Sequence, residues 1–118
     1  MQPKTIALIL LIAAIGIIAI IALLTNNDFR YEKKIKTSYV DIKGSSYLPE
    51  IIEINAGERV VWANRDSLIH TVTFDTGSEQ SSSNLGLNEE YGHIFNIQGT
   101  FDYHCENHPS MKGKIIVK

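Results

Sequence analysis

Nineteen consecutive residues, Ile6 to Leu24, are drawn only from Ile, Leu, Ala and Gly. A helix of that length, at about 1.5 Å per residue, matches the ~30 Å hydrocarbon core of a bilayer. It is apolar on every side, and the rest of the chain is too small and too polar to cover it. Secretory signal h-regions run to about 7–15 residues and end at small-residue cleavage sites. This run is longer and leads into Thr25-Asn26-Asn27-Asp28. The expectation is therefore an uncleaved membrane-anchor helix over residues 1–24, with residues 5–24 in the bilayer.

Charge divides the chain at the same place. Residues 1–36 carry five Lys/Arg against two Asp/Glu, a net of +3, and residues 37–118 carry six against eleven, a net of −5. The basic flank at Arg30, Lys33, Lys34 and Lys36 fits anionic headgroups. By the positive-inside rule alone it would draw the C-terminal part into the cytoplasm. The acidic remainder argues against nucleic acid as a partner and permits steering toward a basic protein. One cysteine excludes an intramolecular disulfide, so the small head needs a good core, a metal, or both.

After a polar spacer (residues 25–36, TNNDFRYEKKIK) the apolar period becomes two. Tyr39, Val40 and Ile42 lie in a first strand, closed by the breaker Gly44-Ser45-Ser46. EIIEI after Pro49, ERVVWAN, HTVTF, YGHIFNI, TFDYHC and KGKIIVK follow as further strands, and residues 75–90 (DTGSEQSSSNLGLNEE) read as a long surface loop. About seven short strands without an amphipathic helix predict an all-β domain over residues 37–118. The form expected is an antiparallel two-sheet sandwich with Greek-key connections.

The scarce soft side chains crowd into Cys105-Glu106-Asn107-His108-Pro109-Ser110-Met111. A thiolate, an imidazole and a thioether recur every three residues, on a strand end and the loop expected after it. Singly, each has an ordinary reading: a small buried cysteine, a solvated histidine, a methionine filling the core. Together they form a soft donor set that suits copper, with a weak axial thioether, and such a site takes a second imidazole. His70, at the start of HTVTF, supplies one.

These residues resemble the blue copper proteins, the cupredoxins of the plastocyanin and amicyanin branch. The likeness covers about residues 40–118 and rests on ERVVWANRDSLIHTVTF and GTFDYHCENHPSMKGKIIV; the Cys-x2-His-x2-Met spacing is similar to the short amicyanin-type loop. The resemblance implies one type 1 copper, cycling between Cu+ and Cu2+. His70, Cys105 and His108 would form a trigonal plane, with Met111 axial. It implies one-electron transfer between protein redox partners, membrane-associated respiratory components for a tethered carrier, with no small-molecule substrate and with the head on the extracytoplasmic face. Three positions depart from the family pattern: Ile69 stands where relatives often have Pro, Thr71 where they often have Asn, and Ser110 where they often have a bulky apolar residue. The Thr71 amide is still expected beside the thiolate. His104 points away from the site because strand neighbours face opposite sides, and it reads as an ordinary strand histidine, although plastocyanins place an aromatic lateral electron route next to the Cys. His93 reads as structural or exposed.

Copper storage or delivery is the alternative; such proteins present Met- or His-rich exchangeable sites, and only one Met accompanies Met1. An enzyme is the third reading, but copper oxidases and nitrite reductases need further ligands, and a binuclear centre needs a second Cys. Zinc could occupy the same His70, Cys105 and His108.

Overall fold

The computed structural model describes residues 1–25 and 32–118; the middle of the polar spacer, 26–31, lies outside the described residues. The chain divides into two compact units, residues 1–33 and 34–118. The first holds helix α1, Pro3–Thr25, of 23 residues. Proline at its first position costs nothing, since the N–H it lacks would have had no intrahelical partner. The helix would extend about 35 Å at the standard rise, and none of its side chains is buried.

The second unit is all β. Its strands are β1 Thr37–Lys43, β2 Ser46–Leu48, β3 Ile51–Ile54, β4 Glu58–Asn64, β5 Thr73–Phe74, β6 Glu90–Phe95, β7 Gly99–Cys105 and β8 His108–Val117. They form two four-stranded sheets, ordered β2-β1-β4-β6 and β3-β8-β7-β5. The alternation read from the sequence is what buries them. Val40 and Ile42 point inward from β1 while Asp41 and Lys43 point out, and Met111, Ile115 and Val117 do the same from β8.

The sheets are mixed rather than antiparallel. β1 runs parallel to β4 and β3 parallel to β8, and the other pairs are antiparallel. The chain leaves β1 through the β2 hairpin, crosses to the other sheet as β3, and returns as β4 in the direction of β1. Gly44 and Ser45 form the hairpin's two-residue turn with φ of 58° and 52°. Such a turn requires positive φ at both central residues, which glycine adopts freely and serine does not. The expected breaker is therefore a tight turn, and its third residue, Ser46, already belongs to β2.

HTVTF is a strand only at Thr73 and Phe74, which pair with β7. The loop that follows, expected to lie on the surface, runs back beside it. His70 and Leu85 exchange backbone hydrogen bonds of 3.1 and 2.8 Å, the Ser82 amide donates to the Val72 carbonyl, and the Ser82 and Ser81 hydroxyls accept from the amides of Val72 and Phe74. Serine side chains thus take the place of a neighbouring strand, and Leu85 is buried.

Both sheets contribute to one core. Trp62, fully buried on β4, has Phe74, Tyr91, Phe95 and Tyr103 around it, with ring centroids 5.5–6.5 Å away. Tyr103 also packs edge-on against Tyr47 at 4.6 Å, and burial pushes its phenol up to about 12. Gly113, opposite Tyr103 on β8, is what admits this ring: a Cβ there would stand 2.2 Å from its Cζ and 2.4 Å from its hydroxyl oxygen. Tyr103 is hemmed in on its other sides and cannot swing clear. Gly113→Ala should therefore cost about 1–3 kcal/mol through overpacking. In urea unfolding the midpoint should fall with the slope unchanged.

Candidate metal centre

Three elements converge at one end of the sandwich. Cys105 is the last residue of β7 and His108 the first of β8, and they pair across a two-residue turn, Glu106-Asn107. His108 and Met111 were expected on a loop; both lie on β8. The pairing explains how His108 nonetheless meets Cys105. His104 faces Lys112, but the next residue, Cys105, faces His108, so Pro109, Ser110 and Met111 have no residue opposite them. This irregularity in the ladder lets β8 bend around the end of β7. Met111 then returns to the buried core at 5% exposure. His70 comes from the other side, held at its single bridge to Leu85.

The His70, Cys105 and His108 donor atoms all lie within 4.8 Å of one another. Both imidazoles turn Nδ1 toward the sulfur, His70 at 3.7 Å and His108 at 3.6 Å, and the two rings are 4.9 Å apart. These separations fit one shared ion. A nitrogen at about 2.0 Å and a thiolate at about 2.3 Å from one metal, roughly 110–120° apart, stand about 3.5–3.7 Å from each other. Cys105 and His70 are fully buried and His108 is half-buried. The donor set is soft on the thiolate side and borderline at the imidazoles, as copper or zinc requires.

A second layer holds these donors. The Thr71 amide donates to the Cys105 sulfur at 3.4 Å, as expected. The Thr71 hydroxyl accepts from the Glu106 amide at 2.8 Å, so this threonine supplies a side-chain tie between the two ligand-bearing segments. Tyr47 donates to the Thr71 carbonyl at 2.6 Å, and burial raises its phenol well above the usual range.

Asn64, fully buried at the end of β4, gives its amide to the carbonyls of Leu68 and Leu85, both at 2.8 Å, and accepts from the Asp66 amide at 2.9 Å. It braces the loop that delivers His70. His70 Nε2 is 2.9 Å from Asp66 Oδ2. The amides of Ser45 and Gly44 donate to the Asp66 carboxylate at 2.9 Å each and hold it below the usual carboxylate range, with a smaller contribution from His70.

Sequence reasoning missed Asn64, Asp66 and Tyr47. The available signal was the polar pair Asn64 and Asp66 just ahead of a histidine, a spacing that permits an Asx turn. The remaining histidines stand apart from the centre as expected. His104 turns to the other face and meets Asp75 Oδ1 at 2.6 Å; His93 is paired with Glu79 and packed on Phe95.

Asn64→Ala strands the Leu68 carbonyl and the Asp66 amide and takes one of two donors from the Leu85 carbonyl, which keeps the His70 N–H. At about 1 kcal/mol for each lost bond, and more where a buried group stays unpaired, it should cost about 2–4 kcal/mol in urea unfolding of the metal-free protein. Thr71→Val orphans the Glu106 amide, also removes the 2.9 Å hydroxyl pair with Thr73, and should cost about 1–2 kcal/mol in the same measurement.

Comparison with known proteins agrees with this geometry. The family profile described as Cupredoxin-like domain matches residues 11–117. The chain is 40% identical over 74 residues to amicyanin-alpha of Methylorubrum extorquens, covering 59% of this chain and 61% of that one. It is 34% identical over 83 residues to amicyanin of Paracoccus denitrificans, covering 67% and 63%, and 35% identical over 82 residues to plastocyanin of Scenedesmus fuscus, covering 59% and 84%. The match thus spans a little over three-fifths of the length of these two amicyanins. Among solved structures, a methionine-to-glutamine variant of amicyanin in its Cu(I) form superposes with a TM-score of 0.66 at 30% identity, covering 70% of this chain and 82% of that one. A purple cupredoxin from Nitrosopumilus maritimus gives 0.63 at 26% identity, covering 69% and 99%. With the sandwich, the site and the profile in agreement, the chain belongs to the cupredoxin family, as a relative of the amicyanins and plastocyanins.

Proposed function

We propose that this protein is a membrane-tethered carrier of single electrons, built on one type 1 copper held by His70, Cys105, His108 and Met111. The observation that carries the reading is the turning of two imidazole Nδ1 atoms onto one buried cysteine sulfur at 3.6–3.7 Å. The relatives support copper in particular: they are amicyanins and plastocyanins, and one of the solved neighbours is a Cu(I) form. Copper, when bound, supplies a centre that takes up and gives back one electron.

The chain's own part is to keep the donors still. Cys105 and His70 are fully buried, and their backbones are locked by the β7–β8 pairing and the Leu85 bridge. The Thr71 amide points at the sulfur and stabilises its negative charge. Donors fixed in this way need little rearrangement when charge at the site changes, which is the requirement for fast transfer. His108 is the donor nearest solvent, so electrons pass through its exposed edge beside Pro109. The net of −5 over residues 37–118 steers a basic protein partner toward the head. Membrane-associated respiratory components are the partner class.

Helix α1 is long and apolar enough to cross a bilayer, and residues 1–24 serve in this reading as the anchor, 25–36 as the spacer and 37–118 as the cupredoxin domain. The head lies on the extracytoplasmic face, where cupredoxins usually work, against the pull of the basic flank.

Cu(II) added to the full chain in detergent should produce an intense thiolate-to-copper visible band and a narrow copper hyperfine splitting in EPR. Cys105→Ser should abolish both. A colourless product or an ordinary tetragonal spectrum overturns the reading. Stopped-flow reduction then separates carrier from store, because only a carrier has reason to exchange electrons quickly. Resistance to alkaline extraction from membranes tests the anchor.

A further inference from the structure

The hydrogen bond behind His70 has a consequence for the metal. A neutral imidazole has one N–H and one lone pair. Asp66 Oδ2 lies 2.9 Å from Nε2, and an ionised carboxylate only accepts, so Nε2 is the donor. The lone pair is thereby left on Nδ1, the atom facing the Cys105 sulfur at 3.7 Å.

The carboxylate itself is held from a distant part of the chain. Oδ1 accepts from the Gly44 amide and Oδ2 from the Ser45 amide, both at 2.9 Å. These are the two positive-φ residues of the β1–β2 turn, whose unusual conformation points consecutive N–H groups the same way. From the other side, the Asp66 amide is fastened to Asn64 Oδ1. Asp66 is therefore pinned on two elements before it meets the histidine, and it is mostly shielded, with 17% of its side chain exposed.

We propose that Asp66 is a positioning residue for the metal. It fixes His70 as the Nε2–H tautomer, and it sets a full negative charge behind a ring that donates through Nδ1. A backbone carbonyl in this place would orient the ring equally well without the charge. The charge makes Nδ1 a stronger donor and favours the more positive, oxidised ion over the reduced one, which lowers the reduction potential. The proposal rests on the reading that a metal binds at His70 Nδ1, and it adds the device that tunes it.

The first test needs no copper and no variant. In the metal-free full chain in detergent, labelled with 15N-histidine, long-range 1H–15N correlation should show His70 protonated at Nε2 and bare at Nδ1. The opposite tautomer overturns the proposal. The second test compares Asp66→Asn and Asp66→Glu after copper loading. Asp66→Asn keeps the size but not the charge; Cu(II) affinity should fall about 10- to 100-fold and the potential should rise, by ~59 mV for each tenfold loss confined to Cu(II). Asp66→Glu restores the charge and should stay near the parent value. A folded Asp66→Asn with unchanged potential and affinity overturns the proposal, as does an Asp66→Glu that shifts as far as Asp66→Asn, since a mere anchor for the β1–β2 turn would affect only unfolding. Where Asp66→Asn does not fold, the tautomer of the parent chain decides. Absence of the thiolate-to-copper band would sink the copper reading but leave the tautomer result standing, so the two failures are distinct.

Discussion

The centre depends on how β7 is joined to β8. Both strands are long, antiparallel and deeply buried on one face, so their register is set by where Tyr103, Ile115 and Val117 must point. At the far end that register breaks, and Cys105 pairs with His108 while Pro109–Met111 stand without opposing residues. A regular hairpin would have carried His108 and Met111 straight along the sheet. The break sets His108 back beside Cys105 while the strands on either side stay anchored in the core. The rigidity asked of the donors is therefore inherited from the sandwich.

The side chains that finish the site are polar and buried, which makes them costly unless every group is paired. Most of these pairs link elements far apart in sequence. Thr71 reaches both Cys105 and Glu106, Tyr47 reaches Thr71, and Asn64 reaches Leu68 and Leu85. The Thr71 bonds and Asn64–Leu68 tie the segment carrying His70 to the β7–β8 turn and to the first sheet, and Asn64–Leu85 holds its bridge partner to that sheet. A network of this kind restricts the number of ways the loops can close, and it keeps water from the thiolate. The same economy holds at Gly113, where one missing side chain makes room for the Tyr103 phenol.

Much of the architecture was legible because the information is local. A period of two between Val40 and Ile42, or along Ile115 and Val117, reports a half-buried strand wherever it occurs. Cys105, His108 and Met111 could be singled out because three rare donors at equal spacing stand within one short segment. Other features left no local trace. β2 is three residues long, too short for periodicity, and the parallel pairing of β1 with β4 joins strands separated by a whole crossover. The loop expected at the surface buries Leu85 because serine hydroxyls complete a ladder, a role their composition does not announce.

The sequence by itself determined that one end of the chain is an apolar helix, that the remainder is built of short strands, and which residues are the soft donors. Hydropathy, alternation and donor chemistry belong to the residues themselves and need no partner to be read. The tertiary structure alone decided that the sheets are mixed, that His108 and Met111 ride on β8 past a break in the ladder, and that Asp66 stands behind His70. The mixed pairing and the seating of Asp66 depend on hydrogen bonds between residues about twenty or more positions apart, such as Gly44 and Ser45 with Asp66. Such partners are chosen by the closure of the whole sandwich, which no stretch of the chain specifies alone.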